Sequence, residues 1–281
     1  MLASIKNKLS EQAAGFLKLS YLESVSSTNE IIRAAISAKE PEGTAVIALQ
    51  QTGGYGRQGR YWKSPVGGIY VSLLLRPVQA GRALSEAPTL SLVLSLAVKH
   101  TLHKLGCRVP LSVKWPNDVL CDQGKLCGIS LEAIDGALCI GLGLNLLMPN
   151  EKQTLEGKYV AAYASVIIQD DNLCHTVSPE GLTAAQKVFF ENAAACLLSE
   201  VVSAYNQWLV EGFSSFREEY RASSALQGKS IQLVSQTNGI LYEGTVQDVD
   251  IDGCLCLRTE QDEVVRAHSG EVHIVKNSIK K

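Results

Sequence analysis

The chain lacks the usual marks of an exported, membrane-bound or metal-clipped protein. None of its eight cysteines (Cys107, Cys121, Cys127, Cys139, Cys174, Cys196, Cys254 and Cys256) belongs to a C-x-x-C pair. Most lie inside apolar runs, and Cys254-x-Cys256 alternates with leucine as strand positions do. They read as reduced packing residues of a cytoplasmic protein, without a metal or disulfide role. No stretch approaches eighteen consecutive apolar residues, and residues 1–10 carry lysines without an apolar h-region, so neither a membrane span nor export is expected. Charge of one sign is also missing. The formal net charge is −2, which provides no global basic field for nucleic acid or an anionic membrane. Internal repeats, low-complexity tracts and a G-x-x-x-x-G-K-[ST] phosphate loop are absent as well.

What is present is 281 residues, enough for one large domain and a small one, organised around residues 50–64, Q-Q-T-G-G-Y-G-R-Q-G-R-Y-W-K-S. Gly53, Gly54, Gly56 and Gly59 let backbone N–H groups approach a ligand, Arg57, Arg60 and Lys63 add cationic donors, and Trp62 offers a stacking surface. The stretch reads as an anion-binding loop with a purine shelf; a solvated surface loop is the plain alternative. Gly54-x-Gly56-x-x-Gly59 also fits a dinucleotide fingerprint, but that motif opens a helix. Here Trp62–Gly68 is turn chemistry leading into a second apolar run, Ile69–Leu75. The loop therefore joins two strands, the first over Thr44–Leu49.

Elsewhere, Leu2, Ile5 and Leu9 predict a short opening helix, and Ser26-Ser27-Thr28-Asn29-Glu30 predicts a capping box beginning another. Leu90–Leu105 has helical period and stops at Gly106. Ser112–Trp115 reads as a short strand, with Asn117-Asp118 and Asp122-Gln123-Gly124 framing a hairpin. Leu126–Ile134 and Ala137–Leu144 are strands joined by Asp135-Gly136, and Gly141 and Gly143 inside the second suggest close approach of a ligand. Residues 149–158 read as polar loop and Pro179–Tyr220 as helical. From Gly228 the texture changes to five short strands, Ser230–Val234, Leu241–Val249, Cys254–Leu257, Val264–Ala267 and Val272–Val275, with turns at Asn238-Gly239 and Asp252-Gly253. This suggests a small β-barrel of SH3-like type. The expected division is 1–227 and 228–281.

Three further motifs are Lys114-Trp115-Pro116-Asn117-Asp118, Gly124-Lys125-Leu126-Cys127-Gly128-Ile129 and Gly141-Leu142-Gly143-Leu144-Asn145. Each alone is weak, since strand-end lysines and turn asparagines are common. In this order, with Ser26–Asn29 and the glycine loop, they resemble the biotin–protein ligases from about Val25 to Val275. The resemblance implies an α+β fold: a mixed, mainly antiparallel central sheet with helices, class II synthetase-like, plus the C-terminal SH3-like barrel. It implies a reaction in which biotin and Mg-ATP give biotinyl-5′-AMP, and a lysine of a biotin carboxyl carrier protein, of acetyl-CoA carboxylase or a related carboxylase, then takes the biotinyl group.

Carried over by position, Ser27, Thr28, Asn29 and Gln51 would meet the biotin head group. Tyr55, Gly56 and Arg57 would belong to the closing loop, and Lys125 would hold the biotin carboxylate and then the α-phosphate. Gly54, Arg60, Trp62, Lys114, Asn117 and Asn145 would serve ATP, with Trp62 stacked on adenine, and Asp118 would act as general base or orient the incoming amine. Tyr55 stands where the family pattern G-R-G-R-x-G-R has its first arginine. About twenty residues precede the first organised segment, too few for a winged helix-turn-helix, so DNA binding is not expected. A homodimer through a sheet edge is admitted by the resemblance alone. The alternatives are a lipoate or octanoate ligase, a non-catalytic sensor or repressor, and a nucleotide-binding interaction module.

Overall fold

Alternation of apolar side chains builds the sheets of this protein, and two apolar helices fill one side of the larger one. The structure is a computed structural model that describes residues 1–150, 160–168, 170, 172–173, 175–178, 181–235 and 239–275. Most of the expected polar loop at 149–158, the start of the 179–220 segment, Cys174 and Asn238 lie outside the described residues. In chain order the elements are α1 (Leu2–Lys8), α2 (Glu11–Phe16), β1 (Lys18–Val25), α3 (Thr28–Ser37), β2 (Thr44–Gln51), β3 (Ile69–Leu75), α4 (Ala87–Lys104), β4 (Ser112–Lys114), β5 (Asp118–Cys121), β6 (Gly124–Ile134) and β7 (Ala137–Leu144). There follow α5 (Ala164–Ile168), α6 (Ala184–Glu211), α7 (Arg217–Ser223), β8 (Ser230–Val234), β9 (Ile240–Val249), β10 (Leu255–Arg258), β11 (Val264–Ala267) and β12 (Glu271–Ile274).

The first sheet runs β1-β2-β3-β7-β6-β5-β4. Only β1 and β2 pair in parallel; every other neighbour is antiparallel, giving the mixed, mainly antiparallel sheet expected from sequence. The Asp135-Gly136 turn joins β6 to β7 with both residues at positive φ, as a tight hairpin of this hand requires.

Period-two alternation sorts the strands' side chains. Ile69, Val71, Leu73 and Leu75 of β3, with Leu138, Ile140, Leu142 and Leu144 of β7, enter the main core shared with α4 and α6. On the other face Val46, Leu74, Ala137 and Cys139 pack against Ile32 and Ile36 of α3. Beyond the reach of α3 that same face changes character. Register sets Ser72 opposite Gly141 and Gly141 opposite Ser130, and in the next row Tyr70 opposite Gly143 and Gly143 opposite Gly128. Small and polar residues there leave a concavity, and this positions the site.

One local expectation needs correction. Ser27 precedes α3, but its side chain makes no cap hydrogen bond; Glu30 binds a tyrosine instead. Helix α6 has 28 residues and an apolar window with mean hydropathy 1.2, long and apolar enough to cross a membrane. Polar pairs such as Gln186-Lys187, Glu191-Asn192 and Asn206-Gln207 interrupt it, so the sequence has no continuous apolar run there, as expected. Its faces here pack against α1, α2 and α4.

The second sheet runs β11-β10-β9-β8-β12, wholly antiparallel. Its inward residues Ile231, Leu233, Val246, Leu255 and Leu257 join the same core as α4. The seam carries specific bonds: Trp115 Nε1 donates to Gly253 O at 3.0 Å, and Arg217 Nε donates to Val249 O at 2.8 Å. Gly253 is at positive φ, and a Cβ there would come within 2.9 Å of Thr89 Cγ2, so glycine allows both the turn and the close packing on α4.

Candidate active site

A cavity of about 460 Å³ opens over the two small-residue rows, walled by the glycine loop, by Lys114–Asp118 and by Gly270–His273. Its floor is a buried polar chain. Ser72 Oγ lies 2.6 Å from Asn29 Oδ1 and 2.7 Å from Thr28 Oγ1, and Asn29 Nδ2 donates to Ser130 Oγ at 3.2 Å. Both the amide and the hydroxyl of Thr28 reach Gln51 Oε1, at 2.8 and 3.0 Å, while Gln51 Nε2 donates to Ser64 Oγ at 2.9 Å. Hydroxyls both donate and accept, so the network is paired internally while its oxygens keep lone pairs for a polar ligand. Space for it comes from Gly141, where a Cβ would fall 2.4 Å from Asn29 Oδ1 and 2.5 Å from Ser130 Oγ.

The glycine loop is a ribbon closed on itself. Gln51 N donates to Ser64 O, Trp62 N to Gly54 O and Gly56 N to Arg60 O, at 3.0, 2.8 and 2.8 Å. Gly54 is buried in this ribbon, and a Cβ on it would meet Ser64 Oγ at 2.5 Å. The Trp62 indole covers the second row: a Cβ on Gly143 would lie 2.6 Å from its Nε1, and one on Gly128 3.1 Å from its ring. Nε1 is buried with no hydrogen-bond partner among the described residues. Lys125 Nζ sits 4.9 Å from the indole centroid, so part of the surface expected for adenine is taken by a cation.

Five cationic side chains, Arg57, Arg60, Lys63, Lys114 and Lys125, line the cavity against two carboxylates, Asp118 and Glu271. Lys125 Nζ is 2.6 Å from Asp118 Oδ1 without the angles of a hydrogen bond, so the contact is chiefly charge–charge. Lys114 Nζ donates to Val272 O at 2.9 Å. Burial is the main reason its pKa is pushed down to about 8; Asp118 opposes that shift and Lys125 adds to it. Burial also lowers the Arg57 pKa, with Asp118 opposing; its Nη1 lies 3.3 Å from Asn117 Oδ1. Arg60 pairs with Glu271 at 2.7 Å, which ties the loop to the second sheet. Together the arrangement joins a neutral hydrogen-bonding floor to a cationic wall. That combination suits a ligand with an amide-like head and an anionic end.

A family model described as the biotin/lipoate A/B protein ligase family matches residues 21–145. A biotin–[acetyl-CoA-carboxylase] ligase of Paracoccus denitrificans is 31% identical over 223 residues, covering 76% of this chain and 83% of that protein. The chain belongs to the biotin/lipoate A/B protein ligase family. A ligase of the same printed name from Mycobacterium tuberculosis is 29% identical over 279 residues, covering 96% and 94%. Among solved structures, a biotin protein ligase from Aquifex aeolicus in complex with biotin and ATP superposes with a TM-score of 0.71 at 26% identity, covering 92% of this chain and 98% of that one.

In this member of the family Thr28, Asn29, Gln51, Tyr55, Gly56, Arg57, Arg60, Trp62, Lys114, Asn117, Asp118 and Lys125 line one cavity. Ser27, Gly54 and Asn145 stand outside the lining. Asn145 is buried behind it, where Nδ2 donates to Lys125 O at 2.9 Å. Sequence reasoning missed Ser72 and Ser130, although a serine inside an otherwise apolar strand was a readable signal. It also missed Gly270–His273, for which no local signal existed.

Proposed function

We propose that this ligase activates biotin with ATP and transfers the biotinyl group to a lysine of a biotin carboxyl carrier protein, the carrier of acetyl-CoA carboxylase or a related carboxylase. The observation that carries the proposal is that Thr28, Asn29 and Ser130, with Ser72 buried beneath them and bonded to Thr28 and Asn29, share one cavity with the Lys125–Lys114–Arg57 wall. A ureido ring presents two N–H donors and a carbonyl to that floor. A plain acyl chain offers that floor no hydrogen-bonding partner, so the ureido ring is the better chemical match. The names of the relatives and the biotin–ATP complex favour the same acid.

In the first step a biotin carboxylate oxygen attacks the α-phosphorus of ATP. The Pα–O bond to the β-phosphate breaks and pyrophosphate leaves. Two anions must meet, and Lys125, close to both floor and wall, neutralises that encounter and the charge developing on the phosphoryl oxygens. Arg57, Lys114 and Arg60 serve the phosphates, and Asn117 orients Arg57. In the second step the carrier lysine attacks the acyl carbon and AMP leaves. Asp118 is engaged by Lys125, so its role in this reading is to hold that ammonium and receive the incoming amine. Trp62 walls the acyl end and offers adenine its remaining edge. Mg²⁺ enters with the nucleotide: both lining carboxylates are already ion-paired, and the described residues contain no cluster of three metal-binding side chains.

Seven free cysteines among the described residues fit a reducing, cytoplasmic setting. The division at 227/228 is carried as a proposal, qualified by the site contacts that Gly270–His273 makes across it. The test is mass-spectrometric detection of the acyl-AMP formed from ATP with biotin, lipoate or octanoate. Biotinyl-5′-AMP alone is expected, and preferential formation of a lipoyl or octanoyl adenylate would overturn the reading.

A further inference from the structure

The glycine loop is a thin wall with a cleft on its outer side. Tyr55, Gly56, Arg57 and Ser130 line the active-site cavity and also a second, more open depression bordered by Glu30 and Glu132. On that side the loop's backbone is anchored at its start, where Thr52 N donates to Val25 O at 2.9 Å and Gly53 N to Ser26 O at 2.8 Å, and further along it a side-chain bond is added: Tyr55 Oη donates to Glu30 Oε1 at 2.7 Å. Glu30 lies in the first turn of α3, whose neighbouring residues Thr28 and Asn29 form the polar floor. The bond therefore ties the loop directly to the element that carries the floor. On the opposite side Arg60 ties the same loop to Glu271. Between these anchors the Arg57 side chain has, among the described residues, a long 3.3 Å bond to Asn117, so its direction depends on the backbone on either side of it.

We infer that Tyr55 is a positioning residue: its bond to Glu30 clasps the loop to α3, aims Arg57 into the cavity and keeps water away from the acyl adenylate. This rests on the function proposed above, because the adenylate is what needs the protection. If the clasp opens, water adds to the acyl carbon, the bond to the AMP oxygen breaks, and biotin and AMP leave as free acids without transfer. Arg33 bonds Glu132 at 2.6 Å and lies 4.0 Å from Glu30, which holds the acidic border of the cleft in place without closing it. Burial, then the Glu30 bond, raises the Tyr55 pKa, so the phenol remains a donor across the working pH range.

The test is a set of variants on the full chain: Tyr55→Phe, Glu30→Ala, the double variant, and Glu30→Gln, whose amide oxygen can accept the same proton. Two readouts are taken. The first is the number of AMP molecules released per biotin transferred, with the KM for biotin and kcat separated. The second is the rate of trypsin cleavage after Arg57 and Arg60 without substrates, at matched thermal stability. Tyr55→Phe and Glu30→Ala should each raise wasted AMP and cleavage rate about fivefold, the scale of one hydrogen bond at a partly exposed site. The double variant should be no worse than either, and Glu30→Gln should behave as wild type. Wild-type coupling and cleavage in Tyr55→Phe, or effects that multiply in the double variant, would overturn the clasp. The cleavage readout needs no catalysis, so it decides the clasp even if the wild-type chain makes no biotinyl adenylate, an outcome that would count against the proposed function alone.

Discussion

Replacing Lys125 by alanine should abolish most adenylate formation while leaving the fold in place. The side chains of Lys125 and Asp118 are 15% and 13% exposed, and the ammonium lies 2.6 Å from the carboxylate. Breaking a fully buried pair costs about 3–5 kcal/mol because a charge is left unpaired. Here the loss is smaller, roughly 1–2 kcal/mol after that penalty is discounted for partial exposure, since Lys114 and Arg57 both interact with Asp118 and remain. The chemical loss is larger. Removing one preorganised donor to developing charge costs about 2.7–4 kcal/mol, or a factor of about 10²–10³ in rate. Quenched-flow measurement of pyrophosphate release, paired with a thermal melt, separates the two effects. If the melt shows unfolding, Asp118→Asn/Lys125→Met removes both charges and keeps the test alive. Pyrophosphate release within threefold of wild type from a folded variant would remove Lys125 from the first step.

Arg57→Gly should loosen closure more than it slows adenylation, releasing activated biotin that labels lysines of serum albumin added as a bystander; unchanged bystander labelling with normal adenylate formation would count against it. Lys114, with its pKa lowered to about 8 from 10.5, should lose its charge as pH rises past about 8, so adenylation falls there, and Lys114→Arg should move that limb upward. The sign for stability is opposite: between about pH 8 and 10.5 the unfolded chain binds the extra proton, so this group's contribution to stability rises with pH, visible as the difference between wild-type and Lys114→Met melts. Gly143→Ala would place a Cβ 2.6 Å from Trp62 Nε1, expelling the indole; calorimetry should show weakened ligand binding with the fold retained. Gly141→Ala would crowd Asn29 and Ser130, and should weaken biotin binding at least about tenfold on the scale of an overpacked site.

Much of this was legible in the sequence because alternation and turn chemistry are local. The Asp135-Gly136 hairpin, the fully buried Ile69–Leu75 strand and the C-terminal strands appear within a residue or two of their expected bounds. The central cations were also legible, since Lys114, Lys125 and Arg57 stand in motifs. What a glycine makes room for was not. Gly54 gives way to Ser64, and Gly143 to Trp62, both side chains of the protein itself. Asn145 reads like a site residue, yet its amide bonds the Lys125 carbonyl and supports the strand that carries Lys125. Glu271 meets Arg60 across 211 residues, a contact that only the packing of the second sheet on the first creates. Tyr55 looked like a lost arginine, and its partner Glu30 like part of a cap; only the fold brings the two together.

The most direct test of the central claim is transfer itself. The full chain is incubated with labelled biotin, ATP and Mg²⁺, with and without a biotin carboxyl carrier domain, and the label is followed into protein. The account predicts one biotinyl group on one carrier lysine, dependent on ATP and lost in Lys125→Ala, with biotinyl-5′-AMP accumulating when the carrier is omitted. A carrier left unlabelled while the chain holds biotin and ATP, or one labelled with lipoyl or octanoyl groups in preference to biotin, would contradict it.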